Sequence, residues 1–176
     1  MGARQSVQRV NKKQTNVPVR EWMAERSLRP VFDTDADGWD KEEFAARVVR
    51  RGRVLVVNYT SRGEMLGCYV HRPVKCAGEC VRDRRFFLFA VDKSRENVAV
   101  YRNIHEADAF LVTKEDPTCL FWMEDLQVRN GTMGLKSGVS PEADRPFRRF
   151  IRGQKIVKCD RKLRFDVVRV VVYCVD

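Results

Sequence analysis

The chain has 176 residues, with 34 lysines and arginines against 24 aspartates and glutamates, a formal net charge of +10 and a pI near 9.6. That length suits one folded domain with a tail, and that charge favours acidic partners such as nucleic acid, anionic lipid or an acidic protein face. No window approaches the roughly 18 to 20 apolar residues of a membrane span, and no apolar run of signal-peptide length opens the chain; a cytoplasmic chain with its six cysteines reduced is the expectation.

Met1-Gly2-Ala3-Arg4-Gln5-Ser6 matches the N-myristoylation pattern, with Gly2 as acceptor and Ser6 at the favoured position. Arg4, Arg9, Lys12, Lys13 and Arg20 follow, and the first acid is Glu21. A myristoyl chain alone binds membrane with K of about 10⁴ M⁻¹. Each cation near an anionic leaflet adds up to about 1 kcal/mol, so lipid and tail together make a two-signal anchor. Residues 1–30 therefore read as a basic, flexible tail, within which Pro18 to Leu28 has a weak helical pattern presenting Trp22 and Met23.

Phe32-Asp33-Thr34-Asp35-Ala36-Asp37-Gly38 opens like a calcium loop. It then departs, with Asp40 where an aliphatic residue belongs and Phe44 where a bidentate glutamate belongs. The better reading is an Asp37-Gly38 turn, a helix capped by Asp40 with Glu43 completing a capping box, and an end at Gly52. Phe44, Val48 and Val49 would line its buried face.

Val54 to Tyr59 is a β-branched strand, Thr60 to Glu64 a glycine-containing turn, Met65 to Val70 a return strand and Phe86 to Val91 a third. Short connections pair them antiparallel. Their unbroken apolar character means a sheet covered on most of both faces. Shorter strands follow at Val98 to Tyr101, Phe110 to Val112, Cys119 to Met123 and Leu126 to Arg129. Asn130-Gly131 marks a tight turn, and the glycines at 131, 134 and 138 read as a loop without a phosphate-binding fingerprint. Phe165 to Cys174 is the most β-branched strand of all, with Val168 expected in its buried set. The fold class is α+β and mainly β: an antiparallel β-sandwich with flanking helices.

Chemistry-bearing residues are sparse. His71 and His105 are the two histidines, and neither belongs to a nucleophile motif. Cys76 and Cys80 read by default as solvated loop thiols without a role; their spacing also suits a two-cysteine redox switch, with Lys75 and Arg82 lowering a thiol pKa, and they form half of a zinc site at most. A second basic patch comprises Arg145, Arg148, Arg149, Arg152, Lys155 and Lys158, interleaved with Phe147 and Phe150. That patch reads first as a solvated basic face; its functional options are a docking face for anionic lipid or, as the alternative function, RNA or DNA binding. No catalytic residue, metal site or cofactor is expected.

Asp37-Gly38 with its helix, the Gly63-Glu64-Met65-Leu66-Gly67-Cys68-Tyr69 return strand, Phe86 to Val91, Gly134-Leu135 and Phe165 to Tyr173 stand in an order that resembles a TLDc domain from Val31 to Asp176. The segment from Ser137 to Phe147 departs from that pattern, keeping Gly138, Ser140 and Phe147 but not the cysteine and threonine. The resemblance implies a two-sheet sandwich that acts as a cytosolic interaction module rather than an enzyme. It also implies links to oxidative-stress protection and to the vacuolar proton-pumping ATPase, whose subunits are the partner it suggests. An N-myristoyl glycine occurs in one branch of the family, in keeping with Gly2 and with a place peripheral to a cytosolic membrane face.

Overall fold

In the computed structural model, residues 28–102, 108–135 and 164–176 are described. Eleven strands and two short helices make up these segments: β1 (Leu28–Asp33), α1 (Thr34–Asp37), α2 (Lys41–Val48), β2 (Val54–Thr60), β3 (Met65–Val70), β4 (Val81–Arg82) and β5 (Phe87–Val91). They continue with β6 (Val98–Arg102), β7 (Asp108–Val112), β8 (Cys119–Met123), β9 (Leu126–Arg129), β10 (Thr132–Leu135) and β11 (Phe165–Val175). Every pairing is antiparallel, in the order β4-β7-β8-β9-β10-β11-β2-β3-β5-β6. The mainly β, sandwich-like α+β class read from the sequence is the one observed.

Strand β11 is where the sheet forks. One flank pairs with β2 along Val167–Cys174. Along the other, β10 takes Phe165 and Asp166, and β1 takes Val171 to Val175. Inner-facing side chains of both branches then meet in one core. Val54, Val56, Leu66, Cys68 and Leu88 come from one layer, and Phe110, Phe121, Met123 and Val128 from the other. The outer face of the β2-β3-β5 layer carries a second cluster, including Leu55, Val57, Tyr69, Phe87 and Phe89. The unbroken apolar runs of β2 and β3 thus reflect burial on both faces.

Val168 is a correction. Core positions along β11 are Phe165 and Val167, then Val170, Val172 and Cys174, so the alternation slips by one residue. The slip is a bulge between Val167 and Arg169 opposite Thr60 and Tyr59. Val168 is the extra residue and stands 56% exposed.

Helix α2 wedges against β1 and β8. Asp40 caps it by accepting from the Glu43 amide at 2.8 Å, as expected, whereas the Glu43 carboxylate takes Arg47 Nε at 2.6 Å on the helix surface. Phe44, fully buried, meets Phe32 edge-on at 5.0 Å and stacks on Phe121 at 5.3 Å. The helix ends before Gly52: Val49 is its C-cap, and Arg50 takes the left-handed turn at φ 65°. The loop expected around Gly134 is instead β10, joined to β9 through Asn130-Gly131 with Gly131 at φ 70°.

Candidate functional site

The calcium-like acids sit at the junction of β1 and α1, and arginines engage each of them. Asp33 accepts Arg169 Nε at 2.9 Å and a second bond from Arg169 Nη2. It also caps α1 through the Asp35 amide at 3.0 Å. Asp35 lies 3.1 Å from Arg169 Nε, and Asp37 lies 3.1 Å from Arg47 Nη2 while accepting the Asp33 amide. Arg169 is available for this because the β11 bulge displaces it from the core-facing phase. Its guanidinium beside Asp33 holds that carboxyl below the ordinary value of 3.8, against the opposing effect of burial. Thr34 Oγ1 accepts the Val170 amide at 2.9 Å, completing a clamp between α1 and β11. A divalent cation would have to displace these arginines.

Asp83, buried, organises the turn before β5. Its Oδ2 accepts the amides of His71 and Arg72, and its Oδ1 that of Arg85 at 2.8 Å. His71 lies between Tyr69 Oη, 3.0 Å from Nδ1, and Arg85 Nη1, 3.1 Å from Nε2. A guanidinium only donates, so Nε2 accepts and Nδ1 carries the proton toward Tyr69. This histidine ties β3 to a turn.

Cys76 is exposed in the β3-β4 connection and donates to Glu79 Oε2 at 3.3 Å. That hydrogen bond pushes its thiol pKa up, outweighing Lys114 and Lys75. Arg82, expected to help lower it, pairs with Asp108 at 3.1 Å instead. The low-pKa premise for Cys76 is therefore corrected: its nearest charged partner is an acid. Cys80 is half-buried, and Cys68, Cys119 and Cys174 are buried. Burial raises the Cys119 thiol to about 11 and that of Cys68 well above 9.0. Among the described residues, no three metal-ligating side chains converge.

Gly2, Arg4, Arg9, Lys12 and Lys13, the patch from Arg145 to Lys158, and His105 lie outside the described residues. A feature not anticipated is an open, arginine-lined surface pocket of about 380 Å³, formed by Arg29, Arg50, Arg51, Gly52, Arg53 and Cys174 to Asp176. The sequence signal was the run Arg50-Arg51-Gly52-Arg53; Arg29 joins it only through the β1-β11 register, opposite Cys174.

The TLDc domain model matches residues 7–128. The chain belongs to the TLDc family. Comparison with curated proteins finds no match. The TLDc match runs from within the basic tail to Val128 and so takes in β1 through most of β9. At family level it points to an interaction module with oxidative-stress and proton-pump associations. No helix among the described residues is long and apolar enough to cross a membrane.

Proposed function

We propose that this TLDc chain is a non-catalytic protein-interaction module, held at a cytosolic membrane face by acylated Gly2 and its basic tail. Its proposed partner is the vacuolar proton-pumping ATPase, with a role in oxidative-stress protection. Family membership is the observation that carries the reading. Two site features favour a non-catalytic role: the acids at Asp33 to Asp37 are spent on arginines and backbone amides, and His71 is spent on Tyr69 and Arg85. Membrane residence rests on additive energies, a marginal acyl chain plus cations near an anionic leaflet.

The test is fractionation of wild type, Gly2→Ala and a triple charge reversal at Arg9, Lys12 and Lys13, with intact mass to detect the lipid. Both variants should move to the soluble fraction with the domain still folded, and high salt should mimic the charge reversal. An unmodified N-terminus, or equal membrane association in all three, refutes the anchor. Pull-down from native cytosol should recover proton-pump subunits; recovery of nucleic acid instead would favour the RNA- or DNA-binding reading of Arg145 to Lys158.

A further inference from the structure

The arginine-lined pocket, open to solvent, is built from three separate pieces of chain. Arg29 comes from β1, Arg50, Arg51 and Arg53 from the α2-β2 connection, and Asp176 follows β11. Backbone hydrogen bonds fix the connection at both ends: the Arg50 amide donates to Val74 O at 2.6 Å, and Arg53 O accepts the Val175 amide at 2.9 Å. The arginines are thus presented by rigid backbone.

Arg50 is the telling residue. It occupies φ 65°, where an L side chain is strained, although glycine stands two positions on at Gly52. That places a guanidinium, rather than nothing, at the rim. The four arginines are exposed, and none pairs with a carboxylate among the described residues. Asp176 is the one acid in the lining. Four arginines held beside a single acid leave a net positive site for an anion. Guanidiniums match phosphate oxygens in a bidentate way that a lysine cannot.

We propose that this cavity binds a compact, multiply phosphorylated anion, with Arg29, Arg50 and Arg53 on the phosphates. A phosphoinositide headgroup and a free inositol phosphate share this chemistry. The site does not depend on Gly2 acylation, so it stands or falls apart from the proposed anchor.

The experiment uses the full chain in a Gly2→Ala background. One arm titrates inositol 1,4,5-trisphosphate by calorimetry. The other titrates phosphatidylcholine vesicles with and without phosphatidylinositol 4,5-bisphosphate. Arg50→Gly suits the backbone and should fold at least as well as the parent; Arg53→Gln supplies a second variant. Arg95→Gly is the matched control, since Arg95 sits at φ 62° in the β5-β6 turn, away from the cavity lining. Expected is a roughly tenfold affinity loss in both cavity variants and no change in the control. Binding in both arms supports a site that accepts headgroup and free phosphate alike. Binding only in solution, or only on the phosphoinositide vesicles, names its source, and in every arm it supports the site only when both pocket variants weaken it; binding that survives in them belongs to the basic tail or to Arg145 to Lys158 and overturns the proposal. Equal losses in Arg50→Gly and Arg95→Gly would reduce the effect to net charge and overturn the proposal, as would an absence of binding in both arms.

Discussion

The slip in β11 alternation makes adjacent valines behave oppositely, which Val168→Asp and Val170→Asp put to the test. Val170 is fully buried in the shared core. Replacing it forfeits about 1.5–3 kcal/mol of side-chain burial and leaves a carboxyl to desolvate without a partner, at a further cost of several kcal/mol. Set against a total stability of about 5–15 kcal/mol, that sum consumes most of the fold. Val168, 56% exposed at the bulge, loses little burial. Its main cost is β propensity, at most about 1 kcal/mol, or about 2–4 °C in Tm for a domain of this size. Soluble yield and thermal melts of both variants decide the matter. Val170→Asp should be insoluble or unfolded, and Val168→Asp should melt within a few degrees of wild type. Insolubility of Val168→Asp, or wild-type melting of Val170→Asp, would refute the bulge.

Gly67→Ala should destabilise by about 3 kcal/mol in urea titration, the upper part of the overpacking range. An added Cβ would fall 2.5 Å from Phe89 Cζ and collide with the Val56 carbonyl oxygen, which cannot rotate away. Arg169→Gln should cost about 1–2 kcal/mol at neutral pH. Because Asp33 has a lowered pKa in the folded protein, its contribution is present above 3.8 and lost as pH falls through the lowered value. Unfolding titrations should therefore show the gap between wild type and Arg169→Gln narrowing below pH 3.8, and a constant gap would contradict the pairing. Glu79→Gln should make Cys76 alkylate faster near neutral pH, by roughly a few-fold, because its thiol pKa falls toward the ordinary range; an unchanged rate would mean the Glu79 contact is idle.

Local signals made much of the fold legible. Val54 to Val70 and Cys119 to Arg129 are β-branched or aromatic runs bounded by turn residues, and β2, β3, β8 and β9 lie there. Elements that depend on distant partners were not readable. Strand β1 contains Pro30 and exists through its pairing with β11, at an edge where proline is tolerated. Strand β10 contains Gly134 and takes its order from β9 and β11. The phase of β11 could not be foreseen because a bulge leaves no mark in a run of valines. Asp33, Asp35 and Asp37 were visible as acids, but the engagement of Asp33 and Asp35 by Arg169 joins segments far apart in sequence, while Arg47 reaches Asp37 from the next helix. The arginine cavity needs residues 29, 50–53 and 174–176 together, and sequence shows one of those runs at a time.

Strand β11 also imposes an order of events on synthesis. It follows every strand it joins, so β1 and β2 wait for a neighbour that lies roughly a hundred residues downstream of Thr60. At about 5–20 residues per second, a ribosome needs about 5–20 s to deliver it. Throughout that interval the nascent chain carries Val54 to Thr60 as an apolar strand with one edge unpaired. Such a chain is a substrate for holding chaperones, and its yield in cells should respond to elongation rate more than to the strength of any single contact in the finished fold.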